Sequence, residues 1–389
     1  MRRVTAAALF GLACASQGMP PGGPPDVAAP KIVAIVPDSG AVGVTPKEVI
    51  FRFDEVVSER PASATNLADL FIISPRNGVP DAHWHRDAIG VKPSRGWRPN
   101  TPYTVIMLRG IADIRGNIRN TGASTFFSTG KTMPHARLSG RVFDWVAGVP
   151  ANGALVESFI ATDTLHPYMA LVDSSGAFAI EHLPPARYTV RAYIDRNKNL
   201  GIDLNEPWDS VSINIADTAT TDLLIFAHDT TAPRIRDVIA ADSVSLRVSF
   251  DKPVNPSQTL TAANFAVIGP DSVAVPILSA GPVLRDTSVT RVTPAAAARP
   301  PGRAVVPTRR DTTSVARPVM PRVAPISEVM IKLQRPLAPK TRYRIRAIGI
   351  RGLLGHTGDS DRPYTTAAPA PPPEAKPVVT PPVPPPVKR

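Results

Sequence analysis

The amino-acid sequence predicts an all-β chain assembled from β-sandwich modules. Three observations carry this. Strand-sized runs of Val, Ile, Thr, Phe and Tyr recur along the 389 residues, broken by 45 Pro and 25 Gly, which is the punctuation of short strands and turns. Long amphipathic helical patterns are hard to find. One phrase of sequence also returns near the C-terminus, so part of the chain is built twice. A hydrophobic fraction of 43% supplies several cores, and a single Cys leaves no intrachain disulfide to hold them. Sheet packing must do so instead.

Taken in order, the chain opens with Met1-Arg2-Arg3, a short apolar run from Val4 to Leu12 and the small residue Ala13. These are the parts of an export signal over residues 1–13, too short to span a bilayer. Cys14 follows, and Gly11-Leu12-Ala13-Cys14 resembles the lipobox of bacterial lipoproteins, with its branched residue one place late. That resemblance implies a lipid on Cys14 and attachment to a membrane of the cell envelope, at the outer membrane or cell surface. A plain signal peptide or a buried free Cys is the alternative. Residues 14–30 are rich in Pro and Gly and read as a tether. Beyond the signal no apolar stretch is long enough for a membrane helix. The net charge of +12 invites a nucleic-acid reading, but no such motif accompanies it. Export makes peptidoglycan, anionic surface polysaccharide or lipid head groups the expected counterparts.

The first strand-rich block covers residues 31–130. Val49, Phe51 and Phe53 alternate with Ile50 and Arg52 as a half-buried strand does, and Thr104–Leu108 and Thr125–Ser128 supply further strands. Pro99-Asn100-Thr101-Pro102-Tyr103-Thr104-Val105 then reappears as Pro339-Lys340-Thr341-Arg342-Tyr343-Arg344-Ile345. Phe53-Asp54-Glu55-Val56-Val57 is echoed by Phe250-Asp251-Lys252-Pro253-Val254, and Asn66-Leu67 by Asn264-Phe265. The order is kept, so residues 232–366 are a second copy. With Pro37-Asp38-Ser39-Gly40, Gly110-Ile111, Asp113, Gly116-Asn117 and the closing Phe127-Ser128-Thr129-Gly130, the first block resembles the bacterial SbsA-type Ig-like domain. The second copy departs from that pattern, with Gly352 and His356 where the first has Asp113 and Asn117.

Between the copies, residues 136–227 contain Leu138-Ser139-Gly140-Arg141-Val142, Asp173-Ser174-Ser175-Gly176 and Leu183-Pro184-Pro185-Ala186-Arg187-Tyr188. These resemble the transthyretin-like or carboxypeptidase-regulatory-like β-sandwich, a fold used as a spacer or binding module. Two segments read as disordered. One is a basic insert at 283–325 carrying Arg299, Arg303, Arg309, Arg310, Arg317 and Arg322, and the other is the Pro-rich tail at 367–389.

Asp195, Asn197, Asn199, Asp203 and Glu206 place oxygen side chains at positions 1, 3, 5, 9 and 12 of a loop, the spacing of a structural Ca²⁺ site. Leu200 stands at the sixth position, where Gly makes the sharp turn, and neighbouring Gly201 is expected to supply it. The alternative is an Asn/Asp/Gly-rich hairpin. His83 and His85 share a strand face within reach of a transition metal, but no third ligand is legible nearby. The plainer reading is an exposed face with Trp84 packed inward. Trp84 and Trp97 are the candidates for a sugar-stacking platform, against a role in the core. Adjacent Asp54 and Glu55 point to opposite strand faces and make no acid/base couple. No nucleophile elbow, metalloprotease helix or phosphate loop is present. The sequence therefore predicts a non-enzymatic envelope lipoprotein with a structural or adhesive role. The alternative is a carbohydrate-binding accessory of an envelope polysaccharide system.

Overall fold

The computed structural model describes residues 25–283 and 322–368. The export signal, Cys14, most of the tether, five of the six insert arginines and most of the tail lie outside them; Arg322 lies within. The described residues form 25 strands and two short 3-10 turns, at Leu67–Leu70 and Ala262–Asn264. Among them no helix is long and apolar enough to cross a membrane. The chain divides into two compact units, residues 1–133 and 134–389.

The first unit holds β1 (Ile32–Val36), β2 (Ala41–Val42), β3 (Val49–Phe53), β4 (Phe71–Ser74), β5 (Pro80–Trp84), β6 (Ala88–Pro93), β7 (Pro102–Met107) and β8 (Ala123–Ser128). They make two four-stranded sheets, ordered β1-β3-β6-β5 and β2-β8-β7-β4. The alternation read from β3 is the packing observed: Val49, Phe51 and Phe53 are buried while Arg52 faces out. They meet Ile89 and Val91 of β6 and Tyr103, Val105, Met107 and Phe127 of the facing sheet. Each such side chain contributes about 1.5–3 kcal/mol by leaving water.

The second unit begins with β9 (Ala136–Asp144), β10 (Val149–Pro150), β11 (Leu155–Ile160), β12 (Asp163–Leu171), β13 (Ala177–Leu183), β14 (Ala186–Tyr193), β15 (Pro207–Ile215), β16 (Thr218–Thr220) and β17 (Leu223–Ala227). The main path runs β10-β9-β17-β15-β14-β11-β12, and β13 and β16 also pair with β9. The long β9 thus serves both layers around a core that includes Leu138, Val142, Val156, Val190, Leu183 and Ile225. Gly140 on β9 allows this, since a Cβ there would lie 1.7 Å from the Thr221 carbonyl oxygen. The Asp173-Ser174-Ser175-Gly176 turn closes as its composition implies. Asp173 Oδ1 accepts from the Ser175 and Ala177 N–H groups, and Gly176 takes φ +84.

The chain ends with β18 (Ile235–Ala240), β19 (Ser245–Val254), β20 (Phe265–Ile268), β21 (Ala274–Val275), β22 (Ile277–Pro282), β23 (Ile326–Leu333), β24 (Arg342–Arg351) and β25 (Thr357–Thr365). The sheets are β18-β19-β23-β22 and β21-β20-β24-β25. β22 pairs antiparallel with β23, so the insert leaves and re-enters the fold side by side. The sequence repeat is a structural repeat down to single hydrogen bonds. Tyr103 OH accepts from the Arg98 N–H, and Tyr343 OH from that of Ala338. Thr101 N–H meets Thr129 Oγ1 as Thr341 N–H meets Thr366 Oγ1. Asp54 Oδ1 receives the Lys31 N–H, and Asp251 Oδ1 receives that of Arg234.

Candidate functional site

The loop between β14 and β15 brings all five oxygen-bearing residues together. Asp195 accepts from the backbone N–H groups of Asn199 (3.1 Å) and Leu200 (2.8 Å). Asp203 Oδ2 receives the side-chain amides of Asn197 (2.5 Å) and Asn199 (3.1 Å). Glu206, 4% exposed, turns one oxygen to the Arg196 N–H and the other to that of Asp203. One expectation is corrected here. Gly201 does not supply the sharp turn; Lys198 (φ 59) and Leu200 (φ 58) adopt the left-handed conformation themselves. The many Asx-type hydrogen bonds hold the backbone there against the usual steric cost. The donor set is oxygen-rich and contracted, which suits a hard cation, and such an ion would replace the amide contacts to Asp203.

A second acidic group was missed in the sequence. Single ligand atoms of Asp26, Glu55 and Asp113 lie within 4.8 Å of one another, and this is the only group of three or more Asp, Glu, His or Cys among the described residues to do so. Burial, then the charges of Asp26, Asp113 and Asp54, push the Glu55 carboxyl up. Burial acts the same way on Asp113, but hydrogen bonds from Asn117, Arg115 and Gly116 outweigh it and hold that carboxyl low. Asn117 also donates to the Asp26 carbonyl, 91 residues away. The Asp113-x-x-Gly116-Asn117 motif was the legible signal; its meeting with Asp26 was not.

His83 and His85 do share a face, and the third group that the sequence did not reveal is Glu48. Its Oε1 lies 2.8 Å from His83 Nδ1 and its Oε2 3.2 Å from His85 Nε2. Burial pushes the Glu48 carboxyl up; the His85 hydrogen bond and the His83, His85 and Lys92 charges outweigh it and leave it low. Trp84 is less inward than expected, at 38% exposed, with its Nε1 donating to the Val57 carbonyl.

Trp97 turns inward, with its ring edge-on to Tyr103 (4.8 Å) and Phe127 (5.2 Å). That corrects its part in a stacking platform, because these contacts commit the ring to the core. A different aromatic set lies in the second unit, where His228 stacks on Trp208 (3.9 Å) and Phe226 (4.4 Å) and Trp145 meets Phe226 edge-on. On β24, Arg342, Arg344 and Arg346 are exposed at alternate positions while Tyr343, Ile345 and Ala347 are buried. Arg342, Arg344 and Asp361 line a cleft of about 540 Å³, and Asp361 reaches Arg344 at 3.6 Å.

Residues 26–129 match the family model for a bacterial Ig-like domain. The class defined by match and fold together is an all-β chain of Ig-like β-sandwich modules. No curated protein matches the chain. Among solved structures it is similar to a DUF3823 family protein from Parabacteroides merdae, at 12% identity over 56% of this chain and 92% of that one, with a TM-score of 0.18. The surface layer protein SbsC, domains 1–6, is 11% identical, with 88% of this chain and 55% of that chain covered and a TM-score of 0.20. The chicken CNTN1 FN1–FN3 domains are 12% identical over 87% of this chain and 99% of that one, with a TM-score of 0.14.

Proposed function

We propose that this is a non-enzymatic protein of the cell envelope, held to a membrane by a lipid on Cys14, whose sandwich faces adhere to an acidic surface polysaccharide or to peptidoglycan. The observation that carries the adhesive part is the row Arg342, Arg344 and Arg346 on the outer face of β24. Three outward cations on a rigid strand present charge at a spacing of about 7 Å, set by alternate residues. The six arginines from Arg299 to Arg322 add positive charge in the same module. Exposed ion pairs contribute roughly 0.2–1 kcal/mol each and are screened by salt.

The test is binding of the full chain to a purified acidic polysaccharide at low and high salt. Replacing Arg342, Arg344 and Arg346 together by Thr should weaken low-salt binding about tenfold, near 1.4 kcal/mol. Salt-insensitive binding of a neutral sugar, lost in Trp84→Ala, would overturn this in favour of the carbohydrate-binding accessory; the partly exposed Trp84 ring is the feature that favours that second reading. Ca²⁺ in the 195–206 loop would stiffen the middle sandwich. The melting temperature should rise with added Ca²⁺, and Asp195→Ala should abolish the rise.

A further inference from the structure

Two imidazoles two residues apart on a strand are an incomplete ligand set, and the fold completes it. β5 is an edge strand, and its register pairs His83 with Gly90 and Asp81 with Lys92 on β6. Residues one and three places from Trp84 and Ala82 share the outward face of the sheet. Glu48, just before β3, reaches the same face from the other side of β6. It can do so because residue 90 is Gly: a Cβ there would lie 2.0 Å from Glu48 Oε2 and 3.1 Å from His85 Nε2.

The Glu48 carboxylate sits in that gap, its side chain only 11% exposed, between His83 and His85. Asp81 Oδ1 stands 3.6 Å from the far nitrogen of His83. His83 Nδ1 is buried, and close as it is to Glu48 it makes no hydrogen bond there. The approach is set by position and charge, not by a directed N–H.

We propose that His83, His85 and Glu48 bind a divalent ion of the zinc class, with Asp81 within reach as a fourth ligand. Two neutral imidazoles and a carboxylate are a zinc donor set, whereas Ca²⁺ takes oxygens alone. Each imidazole now faces its own Glu48 oxygen. The ion enters by replacing those two contacts, and the rings turn about Cβ–Cγ to share one centre.

The test is titration of the full chain with Zn²⁺ alone, by calorimetry and by competition with a chromogenic zinc indicator. One Zn²⁺ per chain at micromolar affinity or tighter is expected. His85→Ala and Glu48→Gln should each weaken it at least tenfold, with His166→Ala and excess Ca²⁺ without effect. His85 is half-exposed, so an unchanged metal-free melting temperature in His85→Ala shows that the variant is folded. Absence of saturable binding, or unchanged affinity in the His83→Ala/His85→Ala double variant, overturns the proposal.

Discussion

Tyr103 and Tyr343 occupy equivalent places in the two Ig-like copies, and each hydroxyl takes a backbone N–H five residues upstream. Burial raises the Tyr103 hydroxyl above its ordinary pKa, although the Arg98 N–H opposes the shift. Tyr103→Phe leaves the Arg98 N–H without this partner and should cost about 1–2 kcal/mol in urea unfolding. Tyr343→Phe should cost a similar amount. Lys198 is exposed yet holds φ 59, a conformation that costs a side-chain-bearing residue about 1–2 kcal/mol. Lys198→Gly should therefore raise stability by about 0.5–1 kcal/mol, after the entropy glycine adds to the unfolded chain. The Tyr pair was legible as a repeated phrase. The strain at Lys198 was not, because nothing in Asn-Lys-Asn-Leu states which residue turns left-handed.

At the scale of elements, Gly140 shows how one strand can serve two layers. Gly140→Ala places a Cβ against the Thr221 carbonyl, a backbone atom that cannot swing aside, and should destabilise the chain by roughly 2–4 kcal/mol. The segment joining β17 to β18 is tied by Lys252, whose Nζ lies 2.6 Å from Asp229 Oδ2 and also contacts Thr231. The Lys252 hydrogen bond, followed by those of Thr231, lowers the Asp229 carboxyl from 3.8 to about 2. A depressed carboxylate stabilises the fold above its unfolded pKa and loses that contribution as pH falls through the folded one. The Asp229→Asn variant should thus melt slightly below wild type at pH 7, and the difference should close between about pH 4 and pH 2. The Asp251-Lys252 pair was visible as an echo of Asp54-Glu55. Its tie to Asp229 joins side chains brought together only by the fold.

For the whole molecule, Tyr103 and Gly140 belong to different cores, one in each compact unit. Their substitutions share no partner, so the Tyr103→Phe/Gly140→Ala double variant should lose the sum of the two single losses to within about 0.5 kcal/mol. Coupling well beyond that would show that the units do not unfold independently. Local pattern was enough to establish the all-β class, the duplicated sandwich and the oxygen spacing of the 195–206 loop. Strand alternation, turn residues and loop ligands all act within a few positions of one another. The sequence alone also supports the export reading, which depends on residues 1–14. Tertiary structure alone decided that Trp97 is a core residue, that Glu48 stands between two histidines, and that Asp26 and Glu55 join Asp113. Each of those meetings spans tens of residues and depends on sheet order and on the room left by a glycine such as Gly90, which no linear spacing records.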